Sequence, residues 1–263
     1  MTDISRRKVL SLSTISLIGS SIGWTAASNN EKASNQKLKN KLKMIVVGAH
    51  PDDPETGCGG TMLLWSDAGH EVVSAYLTKG EAGIHGKSHE EAAKIRTKEA
   101  EKACTILKAR PVFLGQIDGA CEVNDKRYKE VFQFLDSEKP DIVLTHWPID
   151  THRDHQACSL LVYDAWLRLG GPFSLYYFEV MSGQQSQNFN PTDYVDISSV
   201  VQRKHEACFV HESQLIKETY NDDHGKMEVF RGFEGGCEFA EAFIYHVQSH
   251  KISLMIIRSS DCK

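Results

Sequence analysis

The chain has 263 residues, 41% of them hydrophobic and 25% charged, with 7 prolines and 19 glycines. That leaves room for one large α/β domain with a substantial core, and it excludes a disordered, collagen-like or coiled-coil protein. The formal net charge is −5 and no basic stripe is present to neutralise phosphates, which excludes nucleic acid as an expected partner.

The first residues, "MTDISRRKVLSLSTISLIGSSIGWTAASNN", have the layout of an export leader. Arg6-Arg7-Lys8 precedes a weakly apolar run, and the small residues Thr25-Ala26-Ala27 follow. "SRRKVL" is of the twin-arginine type, so residues 1–28 are expected to direct export to the periplasm or beyond. The run from Val9 to Ala27 has about the length of a bilayer span. Its serines and threonines make it a poor permanent one, and no span is expected in the mature chain. Residues 29–43, polar and lysine-rich, read as a linker.

From there apolar runs alternate with helical patterns. "KMIVVGA" and "EVVSAYLT" are expected strands, with "GTMLLWSDAGH" a helix between them that ends at Gly69. "SHEEAAKIRTKEAEKACTILKA" is a long helix, capped by Ser88 and acidic in its first turn. "PVFLG", "DIVLTHW" and "FSLYYFEV" continue the strands, and "DKRYKEVFQFLDSEKP" and "DHQACSLLVYDAWLRLG" the helices. This alternation predicts one α/β domain over residues 44–250, with a mostly parallel sheet and helices on both faces. Beyond Asn188 the pattern is less regular. "SSVVQRKHEACFVHESQLI" and "GGCEFAEAFIYHV" read as helices, and residues 251–263 form a tail with no assigned element. Seven cysteines, widely spaced and without a C-x-x-C pair, point to free thiols and away from a disulfide framework or a zinc ribbon.

Two short stretches carry chemistry. "GAHPDDPETGCGGT", Gly48 to Thr61, puts His50, Asp52 and Asp53 at the end of the first strand. "PIDTHRDH" puts His152, Asp154 and His155 after the fourth. Ligands of such folds sit beyond the carboxyl ends of the strands, where strand order reverses. With the order 3-2-1-4-5, both clusters face that point. Taken singly, each motif is usually a turn or a polar helix start; together, each after a strand, they point to a metal site. A catalytic zinc uses three nitrogen or oxygen ligands and keeps a fourth position for water, and His50, Asp53 and His155 supply that set. Asp52 is left as a base beside the water. His152, three residues before His155, projects to the same side of a helical first turn. Asp154 is expected to orient His152 and favour its charged form. Cys58 reads as packing, and Glu55 as a charge favouring the following helix start.

In "AHPDDPE" and "PIDTHRDH" the sequence resembles the PIG-L or LmbE-like family of zinc-dependent N-acetylglucosaminyl deacetylases, over about Met44 to His246. "LTKGEAG", "RTKEA", "FLGQIDG" and "FVHESQ" add weaker support. The resemblance implies a Rossmann-like fold and one Zn2+ per chain on His50, Asp53 and His155. It implies hydrolysis of an amino sugar's acetamide to acetate and a free amine. It makes Asp52 the general base and His152 the residue that stabilises the oxyanion or protonates the amine, with Asp154 supporting His152. Arg96 and Asp118 match substrate-binding positions. The expected partner is an N-acetylated sugar or glycoconjugate; which sugar, and whether the chain forms a homo-oligomer, are open. Alternatives are a metal-dependent amidase or O-acetyl esterase on another conjugate, and a non-catalytic secreted glycan-binding protein.

Overall fold

The computed structural model describes residues 41–255; the export leader, most of the linker and the end of the tail lie outside them. Strand β1 (Lys43–Gly48) leads into helix α1 (Asp53–Asp67), β2 (Glu71–Tyr76) into α2 (His89–Leu107), and β3 (Arg110–Phe113) into α3 (Asp125–Glu138). Then follow β4 (Ile142–His146), α4 (Arg153–Arg168), β5 (Ser174–Phe178) and β6 (Asp193–Asp196). Helix α5 (Val201–Phe209), a 3-10 turn (Glu212–Gln214), α6 (Ile216–Thr219), α7 (His224–Gly235) and β7 (Ala240–Tyr245) complete the order.

The sheet order is β3-β2-β1-β4-β5-β7-β6. Strands β1 to β5 pair in parallel, and β7 runs antiparallel to both β5 and β6. The expected 3-2-1-4-5 order is therefore present, extended by two strands. β1 shows why the layers form: its run is apolar on both faces, as a central parallel strand requires. Met44 and Val46 pack with Met62, Leu63 and Trp65 of α1 and with Ala103 and Leu107 of α2. Ile45 and Val47 pack on the other side with Val131 and Leu135 of α3 and with Leu161, Val162 and Ala165 of α4.

Local signals set the helix ends. Ser88 caps α2, its hydroxyl accepting the Glu91 N–H at 3.3 Å while the Glu91 carboxylate accepts the Ser88 N–H at 3.1 Å. This reciprocal pair satisfies two donors that a helix start leaves free. In α1 the glycines serve close approach: a Cβ at Gly60 would come within 2.5 Å of Ile197 Cγ2.

The C-terminal third departs from the sequence expectation. "GGCEFAEAFIYHV" is not a helix but holds strand β7, after a left-handed break at Gly236 (φ 75°). Tertiary pairing overrides local pattern here, because β5 offers an open edge and the Glu241 side chain is needed under α1. "SSVVQRKHEACFVHESQLI" is helical only over α5, then tightens into the 3-10 turn. Residues 252–254 dock on the core: the Trp65 indole N–H donates to Leu254 O at 3.0 Å and the Tyr176 hydroxyl to Ile252 O at 2.8 Å. The six cysteines among the described residues are free thiols.

Candidate metal centre and active site

β1 and β4 are neighbours, so the loops beyond Gly48 and His146 open side by side. The His50 and His155 ring centroids stand 5.4 Å apart although 105 positions separate them, and His152 lies 4.7 Å from each. The two clusters read from sequence form one site.

Asp53 is its centre. Its carboxylate lies 3.3 Å from His50 Nδ1, 3.4 Å from His155 Nε2 and 3.2 Å from His146 Nε2. The His50 N–H also donates to Asp53 Oδ2 at 2.7 Å, fixing the side chain. Burial works against the charged form of Asp53, but the His155 and His146 rings outweigh it and hold its pKa well below the usual carboxylate range. His146 is a ligand-type residue that the sequence reading missed. Its only signal is an imidazole closing the otherwise apolar run "DIVLTH". It is fully buried, accepts the Ala49 N–H at 3.0 Å and stacks on His155 at 4.0 Å. Burial, reinforced by the charge of His155, pulls its pKa down to about 4.

The residues fit a divalent cation on a specific observation. Both His50 and His155 turn one ring nitrogen toward Asp53 and the other toward an outer carboxylate. For His155, Nδ1 stands 3.2 Å from Asp150 Oδ1; for His50, Nε2 stands 3.1 Å from Asp118 Oδ1 and 3.2 Å from Asp154 Oδ2. Outer carboxylates of this kind orient metal-binding imidazoles. Burial opposes charging His155, yet Asp53 and Asp150 push its pKa up to about 9. His50 is likewise raised, against its burial, by Asp118, Asp154 and Asp53. Where His50 and His155 hold their protons this firmly the pocket has unspent negative charge, as a cation site should. Donor atoms of Asp53, His146 and His155, and of His50, His152 and His155, lie within 4.8 Å of one another.

Asp154 does not support His152 as expected. Its carboxylate goes to His50 and to the Gly119 N–H at 2.7 Å, and only its backbone N–H meets His152, donating to Nδ1 at 3.2 Å. His152 is thus the N-cap of α4 through its ring. Its pKa is lowered, first by burial and then by the charges of His50 and His155, so the charged form expected from sequence is not favoured. With Nδ1 accepting, the neutral ring carries its proton on Nε2.

Asp52 takes another course from its neighbour. It sits at φ 118°, a conformation costly for any residue with a Cβ. Arg96 holds it: Nη2 donates to Asp52 Oδ2 at 2.9 Å and to Pro51 O at 2.6 Å. Burial pushes the Asp52 pKa up to about 6, with Arg96 opposing and Asp53 adding. Arg96 itself is buried, 3% exposed, and its bed is glycine: a Cβ at Gly80, which also has φ 68°, would meet Arg96 Nη1 at 2.3 Å. "LTKGEAG" and "RTKEA" therefore make one unit. Glu55, read as a helix-start charge, does sit at that start as the partner of Asp52 in a capping box, and it is fully buried there. Burial raises its pKa to about 8; its carboxyl receives the Tyr76 hydroxyl and accepts the Asp52 N–H at 3.1 Å. "FVHESQ" closes the ring of motifs, with Ser213 bonded to Glu99 and Gln214 to Gly83 O.

His50, Asp52, Asp53, Arg96, Asp118, His152 and His155 all line one cavity of about 590 Å³; Asp154 lies behind His50. The PIG-L family model, described as GlcNAc-PI de-N-acetylase, matches residues 45–166, which include both clusters. The diacetylchitobiose deacetylase of Thermococcus kodakarensis is 28% identical over 201 residues, covering 71% of this chain and 75% of that one. The solved N,N'-diacetylchitobiose deacetylase from Pyrococcus horikoshii has a TM-score of 0.69 at 24% identity, over 86% of this chain and 94% of its own. GalB, the 4-carboxy-2-hydroxymuconate hydratase from Pseudomonas putida KT2440, reaches the same TM-score at 20% identity, over 82% and 100%. At those identities the two structures speak for a shared fold alone, and one fold hosts unrelated reactions. The likeness in sequence runs across both histidine–aspartate motifs, and there the chain matches the PIG-L family model over residues 45–166.

Proposed function

We propose that the protein is a zinc-dependent deacetylase that removes the N-acetyl group of an N-acetylglucosamine-type amino sugar or glycoconjugate, releasing acetate and a free amine. The observation that carries this reading is the inward turn of His50 and His155 on Asp53, each backed by a carboxylate, at the floor of a cavity. The 28% identical relative named as a diacetylchitobiose deacetylase supports the choice of bond.

His50, Asp53 and His155 would hold the ion, with His146 beneath them. A bound zinc polarises a carbonyl and brings the pKa of its water toward ~7. Asp52, which lines the cavity and is steadied by Arg96, takes the proton of the attacking water. Its raised pKa lets it keep that proton and return it to the departing nitrogen. His152 donates from its Nε2–H to the oxygen on which negative charge develops, where a fixed donor stabilises most.

The test is acetate and free-amine release from N-acetylglucosamine and N,N'-diacetylchitobiose, with metal content measured on the same sample. Chelation should abolish release and zinc should restore it, at about one ion per chain. Turnover that persists in exhaustively demetallated protein would sink the metal assignment; no acetate from any N-acetyl sugar would sink the deacetylase.

A further inference from the structure

The cavity extends past the histidine cluster, to the turn at 181–185 and the start of α7. About 590 Å³ is well within the ~300–1,000 Å³ of small-molecule sites, which leaves room for a group attached to the reacting sugar. Its outer wall is built by Met181, Gln185, Gln214, Thr219, Asp223 and His224.

The charges of that wall are one-sided. Among the described residues that line the cavity, Arg96 is the only arginine, and there is no lysine. Its guanidinium is committed to Pro51 O and Asp52, with Asp118 at 3.9 Å. His224 adds no positive charge, since burial, and then Lys204, pull its pKa down to about 4. Asp223 contributes a carboxylate. The remaining polar groups of the outer wall, on Gln185, Gln214 and Thr219, are neutral, and one is conspicuous: the Gln185 side-chain oxygen is buried without a hydrogen-bond partner. Its backbone is fixed, with N–H on Met181 O at 3.0 Å and its carbonyl accepting the Thr151 N–H at 3.1 Å.

Resting on the deacetylase reading, we propose that this site selects neutral or amine-bearing glycans and rejects N-acetyl sugars that carry a carboxylate or phosphate, with Asp223 as the discriminating charge and Gln185 as a hydroxyl contact. An anionic substituent here would lose its hydration, find no free cation and face Asp223, in surroundings where water screens poorly. A sugar hydroxyl instead supplies the donor that the Gln185 oxygen lacks, and an unmet buried acceptor is costly.

The experiment compares kcat/KM for N,N'-diacetylchitobiose with that for N-acetylmuramic acid and N-acetylglucosamine 1-phosphate, two sugars charged at different positions. The anionic pair should be at least ~10-fold poorer, Asp223→Lys should narrow the gap by roughly that factor, and Gln185→Ala should raise KM for the neutral disaccharide more than it lowers kcat. Equal kcat/KM for neutral and anionic sugars in the unaltered protein would overturn the selectivity and leave deacetylation standing. A gap that Asp223→Lys does not move would overturn the role of Asp223. Acetate from none of the sugars would overturn both this inference and the reading beneath it.

Discussion

Asp52 and Asp53 are adjacent in the chain and titrate in opposite directions. Three imidazoles around Asp53 keep it ionised, whereas burial raises Asp52 to about 6 against the pull of Arg96. The separation follows the partners: the Asp53 carboxylate meets three imidazoles, whereas Asp52 Oδ2 lies 2.9 Å from Arg96 Nη2. Substitution should therefore divide the two roles. Asp52→Asn is expected to keep its metal and lose roughly 100-fold or more in kcat, the usual weight of a general base. His155→Ala should lose the metal as well, seen as metal content per chain after gel filtration. Equal turnover in Asp52→Asn and the parent would remove the base assignment. Sequence spacing was enough to pick out His50, Asp53 and His155. It could not reveal His146, nor that Asp154 serves His50, because hydrogen bonds across 93 and 104 positions leave no local pattern; Asp150 stands only five residues before His155, inside "PIDTHRDH", but spacing alone does not say which carboxylate of that motif meets the ring.

At the level of elements, α1 rests on a buried charge cluster that the mechanism does not use. Lys204 of α5 is 1% exposed and lies 2.8 Å from both Glu228 of α7 and Glu241 of β7. Glu241 in turn accepts the Gly60 and Thr61 N–H groups at 2.8 Å. One lysine thus ties three C-terminal elements to the helix that starts at Asp53. Lys204→Met would leave two carboxylates buried without their cation, and a loss of ~3–5 kcal/mol is expected, read as a lower urea midpoint. The same cluster sets an acid limit. Burial opposes ionisation of Glu228, but Lys204 and the hydrogen bonds from His205 and Tyr220 hold its pKa at about 2, below the ordinary 4.5. A depressed carboxylate stabilises the fold above its unfolded pKa, and that contribution drains away as pH falls through the folded one. Between pH 4.5 and about 2 the urea midpoint should fall less steeply in Glu228→Gln than in the parent. Identical slopes would exclude Glu228 as a source of acid lability. The Gly-rich start of α1 was visible in sequence as "TGCGGT", while its reason, the approach of Ile197 and Lys204, needed the packed neighbours.

For the whole molecule, the export reading concerns residues 1–28, outside those described. We propose that the chain leaves the cytoplasm folded, through a twin-arginine-type leader, since the six free cysteines among the described residues and a buried cluster of candidate metal ligands suit assembly in a reducing compartment before transport. Replacing Arg6 and Arg7 together by lysine should leave the protein in the cytoplasmic fraction; unchanged distribution between fractions would exclude that route. What the sequence determined by itself is whatever repeats at short range: the alternation of strands and helices up to β5, the Ser88 cap, and two polar clusters where apolar strands end. Tertiary structure alone decided the rest. Whether an arginine is solvated or buried, whether "AEAFIY" is helix or strand, and which carboxylate backs which imidazole all depend on neighbours far along the chain. Local propensities differ by fractions of a kcal/mol per residue, so a long-range pairing or a buried charge outweighs them.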